Sequence, residues 1–148
     1  MSDCVYFLYR LQVFFLRIRL KPLAALILYA SRIFFSGWIP GSATIGKGTK
    51  FGYGGLGAVI PNRAVIGDNC VIDQHVTIGV TSGHYEVPTI GSNVYMGAGS
   101  KILGPITIGS NVVISANSVV INAIPDDCLV VGAPARVVRT GIQMRDYV

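Results

Sequence analysis

Two histidines stand nine residues apart in the 148-residue chain, His75 and His84. Each has a carboxylate two residues away, Asp73 before the first and Glu86 after the second. Imidazole titrates near neutral pH, and a neighbouring carboxylate can orient it as a general base. The chemistry this suits is removal of a proton near neutral pH. His84 is the first candidate and His75 the second. Tyr53, inside the glycine-rich run GYGGLG, is a candidate to line the pocket of the group that loses the proton.

These residues interrupt a regular pattern. Ile39, Ile45 and Phe51 are six apart, then Ile60, Ile66, Ile72 and Ile78, then Ile90, Met96, Ile102, Ile108, Ile114 and Val120. All are apolar. Glycine follows directly at 46, 52, 67, 79, 91, 97 and 109. Four residues after the apolar position comes a small or branched residue, such as Ala43, Thr49, Ala64, Cys70, Val76, Val94, Ser100, Val112 or Ser118. A period of six is the signature of a β-helix, in which short strands and turns wind round a triangular prism. One aliphatic side chain per face points inward and stacks on its counterpart a full coil away. The expectation is that each following glycine supplies turn geometry a Cβ would oppose. Cys70 falls in a corner slot, so packing is its expected role.

The period breaks twice. Phe51 to Ile60 spans nine residues, three more than the repeat, and the insertion falls in GYGGLGAVI. Ile78 to Ile90 spans twelve, which would put His84 in the aliphatic core. That is unfavourable, so Thr81–Thr89, TSGHYEVPT, reads as a loop leaving the coil, and loops on rigid scaffolds carry function. His75 lies three after an inward residue and is expected to point outward.

Residues 5–38 differ in kind. They are apolar with scattered bases, and Pro22 suits the first turn of a helix. The reading is one helix over 4–20 and a second over 22–35, ending at Gly37, with 1–38 as a helical segment, 39–139 as the coil and 140–148 as a tail. The longest charge-free run, Pro22–Ser31, has ten residues, short of the ~20 a membrane span needs. Two roles stand for 5–36: lying on an anionic membrane, or packing on the coil or on a neighbouring chain with its bases reaching water. The helices would cap one end of the prism and Ile124–Val138 the other.

Composition narrows the class. Apolar residues make up 51% and charged residues 13%, which excludes disorder. Of the net charge of +5, residues 1–38 hold +4 and 39–148 only +1, so no nucleic-acid footprint is expected on the coil. Cys4, Cys70 and Cys128 form no metal or disulfide pattern and fit reduced thiols of a cytoplasmic protein. Hexapeptide-repeat folds include zinc enzymes with three histidines, but two histidines per chain make that site hard to build, so no metal is expected.

Residues 76–138 carry VTIG, MGAGSKILGPITIG and GAPARVV, and in that combination the chain resembles the serine acetyltransferases and related short acetyltransferases of surface-polysaccharide loci. The resemblance covers about 39–139. It implies an all-β, left-handed parallel β-helix, assembled as a homotrimer, with acetyl-CoA in the groove between chains. It implies that Gly79 and Thr81 lie beside the cofactor and that the backbone at Ala98, and at Ala116 one coil later, faces the pantetheine arm. Lys101 and Arg136 match basic positions that can meet the nucleotide phosphates, and His84 matches a histidine of the acceptor loop. One departure stands out: the family has Asp-His after the coil equivalent to Phe51, and this chain has Gly52-Tyr53. The long N-terminal helical domain of the family has about 38 residues in its place. Three functions follow: acetyl transfer to serine, acetyl transfer to a sugar hydroxyl, or a scaffold that kept the fold and lost the base.

Overall fold

The structure is a computed structural model that describes the chain apart from Met1 and His84, and of Ser2 and Asp3 only their place in the first helix. The apolar period of six builds a three-sided parallel coil. One face stacks strands Thr44–Ile45, Val65–Ile66, Thr89–Ile90 and Thr107–Ile108. The second stacks Lys50–Phe51, Val71–Ile72, Tyr95–Met96 and Val113–Ile114, then Cys128–Gly132 and the antiparallel Ala135–Thr140. The third stacks Thr77–Gly79, Lys101–Leu103 and Val119–Val120.

Register explains the burial. Ile45, Ile66, Ile90 and Ile108 pair in one column, and Phe51, Ile72, Met96, Ile114 and Val130 in the next. Every position of the period from Ile39 to Val120 is buried. Each such side chain removed from water contributes about 1.5–3 kcal/mol. Partners lie 18 residues apart at Ile90 and Ile108, 21 at Ile45 and Ile66, and 24 at Ile66 and Ile90. The extra three are the GYGGLG insertion, and the extra six are the excursion after Gly79. The inward stack thus passes from Ile78 directly to Ile90, as expected. Cys70 is fully buried, and burial pushes its thiol up to about 11.

The glycine rule needs correcting. Of the seven glycines that follow an inward residue, none has positive φ. What most of them supply is clearance between coils. A Cβ at Gly67 would lie 2.6 Å from the Gly91 carbonyl carbon, and one at Gly97 would lie 2.6 Å from Ala116 N. The left-handed residue sits two places further on. At the corner between the first and second faces it is Gly48, Asn69, Asn93, Asn111 and Asp127; at the corner between the second and third it is Gly54, His75, Gly99 and Asn117.

Helix α1 (Ser2–Arg17) and helix α2 (Lys21–Phe35) form a hairpin over the first coil. Pro22 opens the second, as its fixed φ favours. Tyr9 Oη donates to Ala43 O at 2.9 Å and accepts from Ile45 N at 3.0 Å, while Gln12 holds Ile39 O and Gly41 N. Val5 and Tyr9 share one core with the coil, so the helical hairpin is a cap rather than a separate unit. The other end is covered by the 128–140 hairpin. The tail returns to the coil, where Ile142 is buried and Asn111 bonds Ile142 O and Met144 N.

Candidate functional site

Asp73 and His75 share the turn that joins the second face to the third. His75 has φ 59°, the left-handed conformation that asparagine or glycine takes at this place in neighbouring coils. Its backbone N–H donates to Leu56 O at 2.8 Å, and its carbonyl accepts from Lys101 Nζ at 2.8 Å. The ring is exposed. The three-residue insertion lies beneath. A Cβ at Gly52 would collide with the Asp73 carboxylate, and one at Gly57 with the His75 ring. The two glycines therefore open the space both side chains use. Between them Tyr53 takes φ 47° and stands 77% exposed.

The Asp73 carboxylate does not serve as expected. Its Oδ2 accepts from Tyr95 Oη at 2.7 Å, one coil above, and no bond from the His75 ring reaches it among the described residues. Burial, then the hydrogen bond and charge of Asp73, push the Tyr95 phenol up to about 12. Tyr95 is thus a fixed donor at neutral pH. Sequence reasoning missed it, although the period that stacks Met96 on Ile72 also brings Tyr95 over Val71 and so beside Asp73.

Along this same corner run Gln74, Ala98 and Ala116, each two residues after an inward side chain. Ala98 O accepts from Asn117 N, and among the described residues no hydrogen bond takes up the N–H of Ala98 or of Ala116. Small side chains and free donors on an open edge fit an extended amide-bearing arm. Lys101 pairs with Thr77 on the adjoining strand. Arg136 lies on the return strand of the last hairpin, whose Gly132 N–H donates to Ser118 Oγ at 3.2 Å just past Asn117. Five of the expected residues, Asp73, His75, Ala98, Lys101 and Ala116, therefore share one edge, and Tyr53 lies in the insertion beneath it.

The others lie elsewhere. Gly79 and Thr81 sit at the far side of the third face, where Gly79 O accepts from Gly104 N at 3.0 Å and Thr81 stands 3.4 Å from where a Cβ of Gly104 would be. The excursion that carries Glu86 leaves from that second corner and is held by an Arg63 guanidinium bond to Tyr85 O. Nearness in sequence thus did not put Glu86 beside His75: one face separates their corners. His84 lies outside the described residues.

A family model for the bacterial transferase hexapeptide (six repeats) matches residues 88–122. The serine acetyltransferase of Synechococcus elongatus is 41% identical over 130 residues, which is 85% of this chain and 52% of that protein. The chain is a hexapeptide-repeat protein that resembles the serine acetyltransferases. The hexapeptide-repeat chain spans about half the length of the curated relatives it matches. Among solved structures, the Brucella abortus serine acetyltransferase in complex with coenzyme A superposes at a TM-score of 0.85 and 33% identity, over 92% of this chain and 55% of that one. The Neisseria gonorrhoeae enzyme in complex with serine gives 0.84 and 33%, over 91% and 55%. The coil is accordingly the left-handed parallel β-helix of these proteins.

Proposed function

We propose that the chain is an acetyl-CoA-dependent O-acetyltransferase of serine acetyltransferase type, working as a homotrimer with one donor site at each seam between chains. The observation that carries this reading is the shared edge, where a histidine occupies a turn slot one coil below Ala98 and beside Lys101. The relatives solved with coenzyme A and with serine support the donor and the acceptor class.

An acetyl thioester supplies an already activated acyl group. His75 takes the acceptor's hydroxyl proton as the oxygen attacks the thioester carbonyl. The unbonded N–H of Ala98 is a donor available to the oxyanion, and that of Ala116, one coil further on, to an amide of the donor's arm. As the carbon–sulfur bond breaks, the imidazolium returns its proton to the leaving thiolate, giving an acetyl ester and free coenzyme A. Arg136 is a cation for the donor's phosphates, while Lys101, bonded to the His75 carbonyl, fixes the turn that carries the base. Across the seam, the excursion bearing Glu86, with Gly79 and Thr81, belongs to the opposite wall of the groove, and His84 is the acceptor-loop histidine.

A sugar acceptor is the second reading. Gly52-Tyr53 replaces the family's Asp-His, and the exposed Tyr53 ring offers a flat apolar surface of the kind sugar rings stack on. Release of free coenzyme A is measured with serine and with a panel of sugars, on the wild type, His75→Asn and His84→Ala. Turnover with serine that collapses in His75→Asn supports the first reading, and turnover with sugars alone the second. No thiol release with any acceptor leaves a scaffold and overturns both.

A further inference from the structure

Outside the catalytic edge, the feature with least explanation is the outer surface of the helical cap. On α2, Leu23, Leu26, Ile33 and Phe34 are exposed, and the last two are 78% and 79% exposed. Their spacing gathers them within about 100° of arc on one side of the helix, beside the stripe of buried Ala24 and Ser31. On α1, Phe7 and Phe14 face outward, opposite Val5, Tyr9 and Gln12. An apolar surface of this extent on two adjoining helices marks a binding face.

Charge identifies the partner. Between Cys4 and Gly67 the chain has no acidic residue and eight basic ones, while residues 68–148 hold six acids and four bases. The cap end of the prism is therefore positive and the rest slightly negative. Arg10, Arg17, Arg19 and Lys21 are all exposed around the apolar surface. At the end of α2, Tyr29 meets Trp38 edge-on and Arg32 lies 5.7 Å from the Trp38 ring centre. Tyrosine and tryptophan with bases are the residues that favour the lipid–water boundary. Neither helix is long and apolar enough to cross a membrane. A second copy of the chain is a poor occupant, because joining two such caps sets like charges face to face.

We infer that the helical cap docks on an anionic bilayer surface, with α2 lying in the interface through Leu23, Leu26, Ile33 and Phe34 and with the arginines and lysine meeting lipid phosphates. The coil then projects from the membrane, and its catalytic edge stays in water. The docking surface is independent of the reaction at that edge.

Vesicle flotation of the full chain tests it, using phosphatidylcholine alone and phosphatidylcholine with about one-third phosphatidylglycerol, a mixture with the negative surface the bases require. Flotation is expected with the anionic vesicles only, and it should weaken as salt is raised. Leu26→Ser with Ile33→Ser removes exposed side chains and should reduce partition by on the order of tenfold or more. Arg10→Gln with Arg17→Gln should reduce it roughly fivefold per base. Light scattering reports whether either variant changes the assembly. Absence of flotation on anionic vesicles overturns the inference, as does flotation that neither variant weakens. A fall in assembly mass in the serine variant without vesicle binding assigns the surface to contact between chains instead.

Discussion

Two corners of the same prism use one backbone for different ends. At the corner between the first and second faces, Asn69, Asn93 and Asn111 are left-handed, and each donates its N–H to the coil below, at Lys47, Asp68 and Ser92. At the next corner His75, Gly99 and Asn117 do the same, to Leu56, Gln74 and Ala98. An asparagine serves the turn fully, since its short side chain tolerates this conformation. A histidine there adds nothing the turn requires. It adds an imidazole, and the chain clears Gly57 beneath it to make room. The fold's mechanical need is thus met in both corners, and the surplus at one of them is the group the proposed reaction uses.

The sharpest way to break this comparison is to make the corners alike. His75→Asn should fold and melt as the wild type does, yet lose acetyl transfer by on the order of 10²–10⁴-fold. An unchanged turnover rate in a free coenzyme A assay would move the base away from this corner. Next come the paired glycines. Gly48 and Gly57 have φ 70° and 64°, so alanine at either should cost about 1–2 kcal/mol in denaturant unfolding. Only Gly57→Ala, which pushes on the His75 ring, should also slow turnover; equal rates in the two variants would show the ring does not matter. A smaller effect is expected at Tyr95. Tyr95→Phe deletes one bond to Asp73 and should cost about 1 kcal/mol, with little change in rate if Asp73 only shapes the turn.

The same tyrosine gives a pH signature. Its phenol titrates near 10 unfolded and at about 12 folded, so between those values the folded chain holds a proton that the unfolded chain has lost. Stability is unaffected below that window and falls as pH rises through it. Phenolate absorbance should show two late-titrating tyrosines, Tyr95 and Tyr9, whose phenol burial also raises, and Tyr95→Phe should remove one of them. The smallest perturbation is thiol labelling at neutral pH. Cys4 is exposed and should react, while buried Cys70 should stay protected until unfolding.

Much of the fold was legible because a β-helix is nearly one-dimensional. Each coil rests on its neighbours, so a period of six translates directly into an inward stack, and a break of three or six residues into an insertion. The excursion after Gly79 and the helical cap could be read in this way. The glycine positions were legible but their reason was not, since Gly67 is required by the Gly91 carbonyl a full coil away. The exceptional status of His75 was open to a simpler test: every third residue after an inward side chain at these two corners is glycine, asparagine or aspartate except this one.

What the sequence by itself determined is the coil, its register and its two interruptions, because those follow from the spacing of apolar side chains along the chain. Only the tertiary structure decided which residues meet. It separated His75 from the Glu86 excursion by one face, gave Asp73 to Tyr95, and gathered Ala98, Lys101 and Ala116 on the edge of His75. The physical reason is that neighbours in such a fold are set by stacking distance between coils, here 16 to 24 residues along the chain, and not by closeness in sequence.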